Sequence, residues 1–125
     1  MKNREKYFEF IDTFQNQRDF FKCHEILEEI WIEETKCETR KHLSINLLLI
    51  SVGLYHWRNK NFKGAIQVFE NSLNNYDEVS MEMESIGIDS KLLKKIVLDI
   101  VDNLKNKQDY REVFLPIYQQ KNLKK

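Results

Sequence analysis

His24, Glu28 and Trp31 have the spacing of a chemical site: i, i+4 and i+7, so a helix there sets all three on one face, flanked by Phe20 and Leu27. Glu25 and Glu29 would point elsewhere. An imidazole and a carboxylate in an apolar wall can act as an acid/base pair or as two metal ligands, with His56 approaching from a later apolar stretch. The same spacing also serves the fold. Glu28 can orient His24, or reach His56, in a satisfied buried network that fixes how two helix pairs dock, because a polar group on a packed stripe must be paired whether or not it does chemistry. That structural role is the preferred reading of the three residues.

The case for catalysis is thin. A dinuclear centre needs about four to six ligands, drawn as Glu and Glu-x-x-His from four helices, whereas the second half of the chain offers only Gln67 and Glu70 beside His56. The string His24-Glu25-x-x-Glu28 lacks the second His of a helical zinc-protease motif. Cys23 adjoins His24, but neighbours on a helix point about 100° apart and share a proton poorly, so Cys23 reads as a small buried residue. Gly64-Ala65 follows a helix and not a strand, which makes it a packing feature and not a phosphate loop. No catalytic residue, metal ligand or cofactor is assigned, and the reading leans away from an enzyme without committing.

The elements that must position these residues are helical. The chain of 125 residues is 42% hydrophobic and 12% aromatic, enough for one core, and three Gly with one Pro disfavour turn-dense β folds. One domain over 1–125 is expected. Apolar positions Tyr7, Phe10, Ile11 and Phe14 predict a first helix from Lys2 to Gln17, and Asp19 caps a second in which Phe20, Cys23, Leu27, Ile30 and Trp31 run to about Glu34. A polar loop precedes a third helix over 43–59, apolar on nearly every side and therefore central. Asn61 caps a fourth that ends near Tyr76, so the hairpins are about 2–34 and 43–76. Residues 79–88 read as an acidic connector with at most a turn of helix. Asp89 caps a fifth helix, with Ile88 and Leu93 placed as a hydrophobic staple, and a short last helix runs from Asp109 to Pro116, giving capping helices over about 89–116. The Lys-rich tail beyond is expected to fray.

Balanced charge, 20 Lys+Arg against 20 Asp+Glu, argues against nucleic acid as a partner. The last third, 89–125, holds nine basic and five acidic residues, read as a solvated face. The N-terminus shows no secretory h-region, and the most apolar stretch, Ile45–Trp57, is too short for a bilayer span. Cys23 and Cys37 are too far apart for a C-x-x-C pair. A cytoplasmic location is expected, with no membrane partner.

Shifted by 42 residues, Asp19-Phe20-Phe21-Lys22-Cys23 aligns with Asn61-Phe62-Lys63-Gly64-Ala65, each a cap, an aromatic and then a small residue where two helices cross closely. Leu49, Val52, Gly53 and His56 precede Asn61 at the spacing of tetratricopeptide hairpins, which these residues resemble. The expected fold class is all-α, with helical hairpins stacked in a tetratricopeptide-like bundle and a C-terminal capping helix as lid. Asn16, Phe20-Phe21-x-Cys23-His24-Glu25-x-Leu27-Glu28-x-x-Trp31, then Tyr55-His56 and Asn61-x-x-Gly64-Ala65, together resemble the domain of unknown function 309 family over about residues 7–76. The resemblance implies a small all-helical cytoplasmic protein and carries no catalytic residues with it. The chain departs from the family pattern at Gln15, where an aromatic is usual, and at Arg18 and Lys60, where a turn Gly is usual; Asn16 or Asn59 could take the left-handed position instead.

The candidate binding constellation is Asn16, His24, Glu25, Glu28, Trp31, Tyr55 and His56. The function expected is a protein- or peptide-interaction module that binds its partner, or a second copy of itself, through a groove between hairpins. Two alternatives stand beside it: a metal-binding or hydrolytic enzyme using His24, Glu28 and His56, and a small-ligand binder lined by Trp31, Tyr55 and Trp57.

Overall fold

The structure is a computed structural model that describes residues 3–118. Six α-helices follow one another: α1 (Arg4–Asp12), α2 (Phe20–Thr35), α3 (Leu43–Arg58), α4 (Phe62–Leu73), α5 (Tyr76–Ser85) and α6 (Ser90–Lys105), with a π-helical turn, Thr13–Gln17, extending α1. The fold class is all-α. The starts of α2, α4 and α6 are set by short polar side chains: Asp19 accepts from the Lys22 amide at 3.0 Å, Asn61 from the Gly64 amide at 3.1 Å, and Asp89 from the Leu92 amide at 3.1 Å. Ile88 and Leu93, either side of the Asp89 cap, are both buried.

Helix α3 is the centre, as its sequence predicts. Leu43, Leu47, Ile50, Leu54 and Trp57 are buried together with the polar Ser44, Asn46 and Ser51, and α2 packs on one side of it and α4 on the other. Asn46 donates to the Ser72 carbonyl at 2.6 Å and Ser51 to the Leu47 carbonyl at 3.0 Å, which ties both side chains to backbone, while the Asn46 Oδ1 has no partner among the described residues. Where α3 meets α4, an added Cβ at Gly53 would stand 2.5 Å from the Phe69 ring, and Ala65 is fully buried. The small residues read from the repeat therefore let two helices approach. One hydrophobic cluster runs from Tyr7 on α1 through α6 to Val113 and Leu115.

Three expectations are corrected. Residues 79–88 are not a connector: α5 covers most of them, and Tyr76, Val79, Met83 and Ile86, at helical spacing, turn inward. The segment from Asp109 to Pro116 is not helical. It is extended, with Val113 and Leu115 buried and Phe114 exposed, and it ends in an antiparallel bridge of Ile117 with Ile88. The left-handed turn positions are taken by Arg18 (φ 57) and Lys60 (φ 64) themselves, whereas Asn59 stays at φ −94. Lys2 and the Lys-rich tail lie outside the described residues.

Candidate functional site

The residues singled out in the sequence fall into separate groups. The Arg58 guanidinium lies 4.7 Å over the Phe20 ring and donates to the Arg18 carbonyl at 3.1 Å, so the start of α2 adjoins the end of α3. His24, one turn into α2, shares this end of the hairpin with Tyr55 and His56. Trp31 is two turns away. Its indole N–H donates to the Thr39 carbonyl in the α2–α3 loop, and the Arg40 guanidinium stands 5.5 Å over its ring. Trp57 is buried and donates to the Gln108 carbonyl at 2.9 Å, so Trp31, Tyr55 and Trp57 do not line one pocket.

The anticipated His24–Glu28 network is not formed. The buried stripe of α2 runs through Phe20, Cys23, Leu27 and Ile30, which leaves Glu25 and Glu28 exposed. His24 sits at the edge of that stripe, 6.0 Å from the Phe21 ring, and its Nδ1 is buried with no hydrogen-bond partner among the described residues. His56 Nδ1 faces the Asn61 amide nitrogen at 3.2 Å instead. Asn16 donates to Asp12 at 2.6 Å. Among the described residues no group of three His, Cys, Asp or Glu side chains is placed to hold a metal ion.

Another histidine, not singled out from sequence, is well connected. His42 caps α3: its Nδ1 accepts from the Ser44 amide at 3.2 Å and lies 2.7 Å from the Ser44 hydroxyl, while its Nε2 is 3.0 Å from Glu34, whose second oxygen accepts from Asn3 at 3.0 Å. Serine, histidine and glutamate stand in the order of a hydrolase relay. Ser44 is fully buried, however, so no substrate reaches its hydroxyl. The arrangement is a helix cap, tethering the α3 start to α2.

The cavity lies elsewhere. A groove of about 730 Å³ runs along α1, walled by Arg4, Phe8, Ile11, Asp12, Gln15 and Asn16 on one side and by the α5–α6 turn (Glu84, Ser85, Ile86, Gly87) with Ile117 and Tyr118 on the other. Gly87 makes that turn at φ +91, a backbone suited to glycine. Phe8, Ile11, Ile86 and Ile117 supply the apolar lining; Phe8 and Tyr118 are 45% and 44% exposed at its margin. Glu84 accepts from the Tyr118 hydroxyl and, at 2.8 Å each, from the Ser90 amide and hydroxyl. These bonds, Tyr118's foremost, hold the Glu84 carboxyl below its usual pKa, and the same bond pushes the Tyr118 phenol up to about 12. Arg4 lies 5.3 Å over the Phe8 ring. The groove combines an apolar lining with charged side chains, Arg4, Asp12 and Glu84, among its walls. Of the seven residues in the constellation expected from the sequence, only Asn16 borders this groove, and the groove does not lie between hairpins.

Residues 3–68 match the model of a family described as a domain of unknown function, DUF309. The chain belongs to the DUF309 family. It is also 30% identical over 115 residues to the "Uncharacterized protein YpuF" of Bacillus subtilis (strain 168), an alignment that takes in 92% of this chain and 66% of that protein. The chain thus spans just under two thirds of that relative's length. No solved structure matches it significantly.

The DUF309 match stops within α4, so α1 is the only wall of the groove inside it. Two residues of the α1–α2 turn bear on the C-terminal segment. The Gln15 amide donates to the Leu115 carbonyl at 2.9 Å and accepts from its N–H at 2.8 Å. Arg18 donates to Glu112 at 2.6 Å and to the Val113 carbonyl at 2.7 Å, and lies 4.0 Å over the Phe114 ring. Gln15 and Arg18 thus hold the extended C-terminal segment against the α1–α2 turn.

Proposed function

We propose that this DUF309 chain is a protein- or peptide-interaction module without catalytic activity of its own, acting in the cytoplasm. The carrying observation is the groove along α1, about 730 Å³ with Phe8, Ile11, Ile86 and Ile117 in its lining and two exposed aromatic rings at its margin. Large apolar rings half in water around a concave surface are the features of a recognition site. The tetratricopeptide-like description draws support from Gly53 against Phe69 and from buried Ala65, the small residues of a close helix crossing. No helix among the described residues is long and apolar enough to cross a membrane. Cys23 and Cys37 are both free, which fits a reducing compartment.

The partner is a peptide segment of another protein, with a second copy of the chain as the competing occupant. A random peptide library displayed on phage and selected against the full chain is expected to enrich sequences that no longer bind a folded Phe8→Asp variant. Enrichment that is indifferent to Phe8→Asp, or none at all, overturns the reading. Sedimentation at high micromolar concentration separates the competitor, since a dimer that Phe8→Asp dissociates would place a second copy in the groove.

A second site has one observation behind it. The Nδ1 of His24, one turn into α2 and without a hydrogen-bond partner among the described residues, is a buried group that a ligand's polar atom could satisfy. It lends nothing to a metal-binding or hydrolytic role through His24, Glu28 and His56, since Glu28 is exposed and His56 faces Asn61; metal analysis of untagged protein tests that alternative.

A further inference from the structure

Of the three charged side chains that line the groove among the described residues, two are carboxylates, Asp12 and Glu84, and one is the Arg4 guanidinium, and the flanking helices α1 and α5 carry more acid than base, although the chain as a whole balances 20 basic against 20 acidic residues. Helix α5 has four carboxylates and no Lys or Arg. One of them, Asp77, is drawn off by Lys94 at 3.2 Å. Glu82 is exposed but is not among the residues that line the groove. Glu84 is held ionised at the groove wall itself, by Tyr118 and Ser90 first and by the Lys91 charge to a lesser degree. On α1, Lys6 is turned away and paired with Glu33 at 2.9 Å and Glu29 at 3.5 Å, which leaves Glu9 and Asp12 unbalanced by it. Arg4, over Phe8 at one end, is the single cation lining the groove among the described residues.

Resting on the reading of this groove as a peptide site, we propose that its occupant is a basic linear segment of another protein. An apolar side chain of that segment enters the Phe8–Ile86–Ile117 lining, and Lys or Arg residues on either side of it face Asp12 on one wall and Glu84 on the other. The apolar lining supplies affinity that salt does not remove, and the carboxylates select the sign of the flanks and speed encounter. An acidic segment would meet repulsion along both walls.

The test uses the full chain and three fluorescein-labelled twelve-residue peptides that share a central phenylalanine and two leucines and carry four lysines, four serines or four glutamates. In anisotropy titrations at low salt the lysine peptide is expected to bind about tenfold tighter than the serine peptide, with the glutamate peptide weakest, and the lysine advantage is expected to shrink as ionic strength rises to about 300 mM. An Asp12→Lys variant, changed at an exposed position of the lining, is expected to remove most of the lysine advantage. Equal binding of the lysine and serine peptides overturns the basic partner while the groove reading stands; failure of all three overturns both. Lysine-peptide binding unchanged in Phe8→Asp places it elsewhere and also overturns the proposal. Residues 119–125 carry three lysines and Leu123. If Lys121→Glu, Lys124→Glu, Lys125→Glu makes the groove bind the lysine peptide about tenfold tighter, the chain's own end competes for it and a partner in trans is overturned.

Discussion

Single residues decide more by what they lack than by what they contact. His24 keeps a buried Nδ1 without a partner among the described residues and Glu28 lies in solvent, so the two are energetically independent. Glu28→Leu is expected to change stability by no more than about 0.5 kcal/mol, and His24→Leu to be neutral or stabilising because it removes an unsatisfied buried nitrogen. Urea unfolding of both singles and the double at neutral pH checks this, with additivity as the expected result. The two left-handed residues should separate in the same assay. Lys60 (φ 64) is exposed and no side-chain bond offsets its backbone cost, so Lys60→Gly is expected to gain about 0.5–1 kcal/mol. Arg18 (φ 57) anchors Glu112, Val113 and Phe114, so Arg18→Gly relieves the same strain and still loses stability.

At the scale of elements, the α3–α4 crossing is the least forgiving. Gly53→Ala drives a methyl to 2.5 Å from Phe69, and Ala65→Leu overfills a fully buried position; each is expected to cost about 1–3 kcal/mol, read as a lowered thermal midpoint. This crossing was legible in the sequence, as were the starts of α2, α4 and α6, because a capping Asp or Asn and the small residues act within a turn or two of chain. Helix α5 was hidden by its own acidic surface, although Tyr76, Val79, Met83 and Ile86 keep helical spacing. Tyr110, Val113 and Phe114 also have helical spacing, yet the alternation buried, exposed, buried over Val113, Phe114 and Leu115 is a strand's. The groove could not be read at all, since it joins residues near 8, 86 and 117 that meet only in the fold. Its C-terminal wall is held by two carboxylates, Glu84 and Glu112, whose pKa values lie below the usual 4.5 through Tyr118 and Arg18 respectively. A depressed carboxyl stabilises the fold above the unfolded value and loses that contribution as pH falls through the folded one. The stability difference between wild type and a Glu84→Gln, Glu112→Gln variant is therefore expected to be largest at neutral pH and to vanish in acid, well below the unshifted 4.5, in pH-dependent urea titrations.

Over the whole molecule, one hydrophobic cluster links every helix to the extended C-terminal segment, so the seams between elements share their burial. The two thiols sample that cluster unequally. Cys23 is fully buried with its Sγ 3.9 Å from the Phe10 carbonyl of α1, and burial pushes its thiol up to about 12; Cys37 is exposed in the α2–α3 loop. A thiol reagent such as N-ethylmaleimide therefore meets an internal standard and a clock in one chain. Cys37 is expected to be alkylated at the rate of an open thiol, and Cys23 at least about a thousandfold more slowly, limited by the population of molecules in which α1 has parted from α2. Intact-mass spectrometry counts the two additions, and labelling of Cys23 within about tenfold of Cys37 would mean that this seam opens locally and cheaply. Because α1 is also a wall of the groove, an occupant that grips both walls must lengthen the delay before the second addition, so binding can be detected by the silence of a cysteine that no ligand touches.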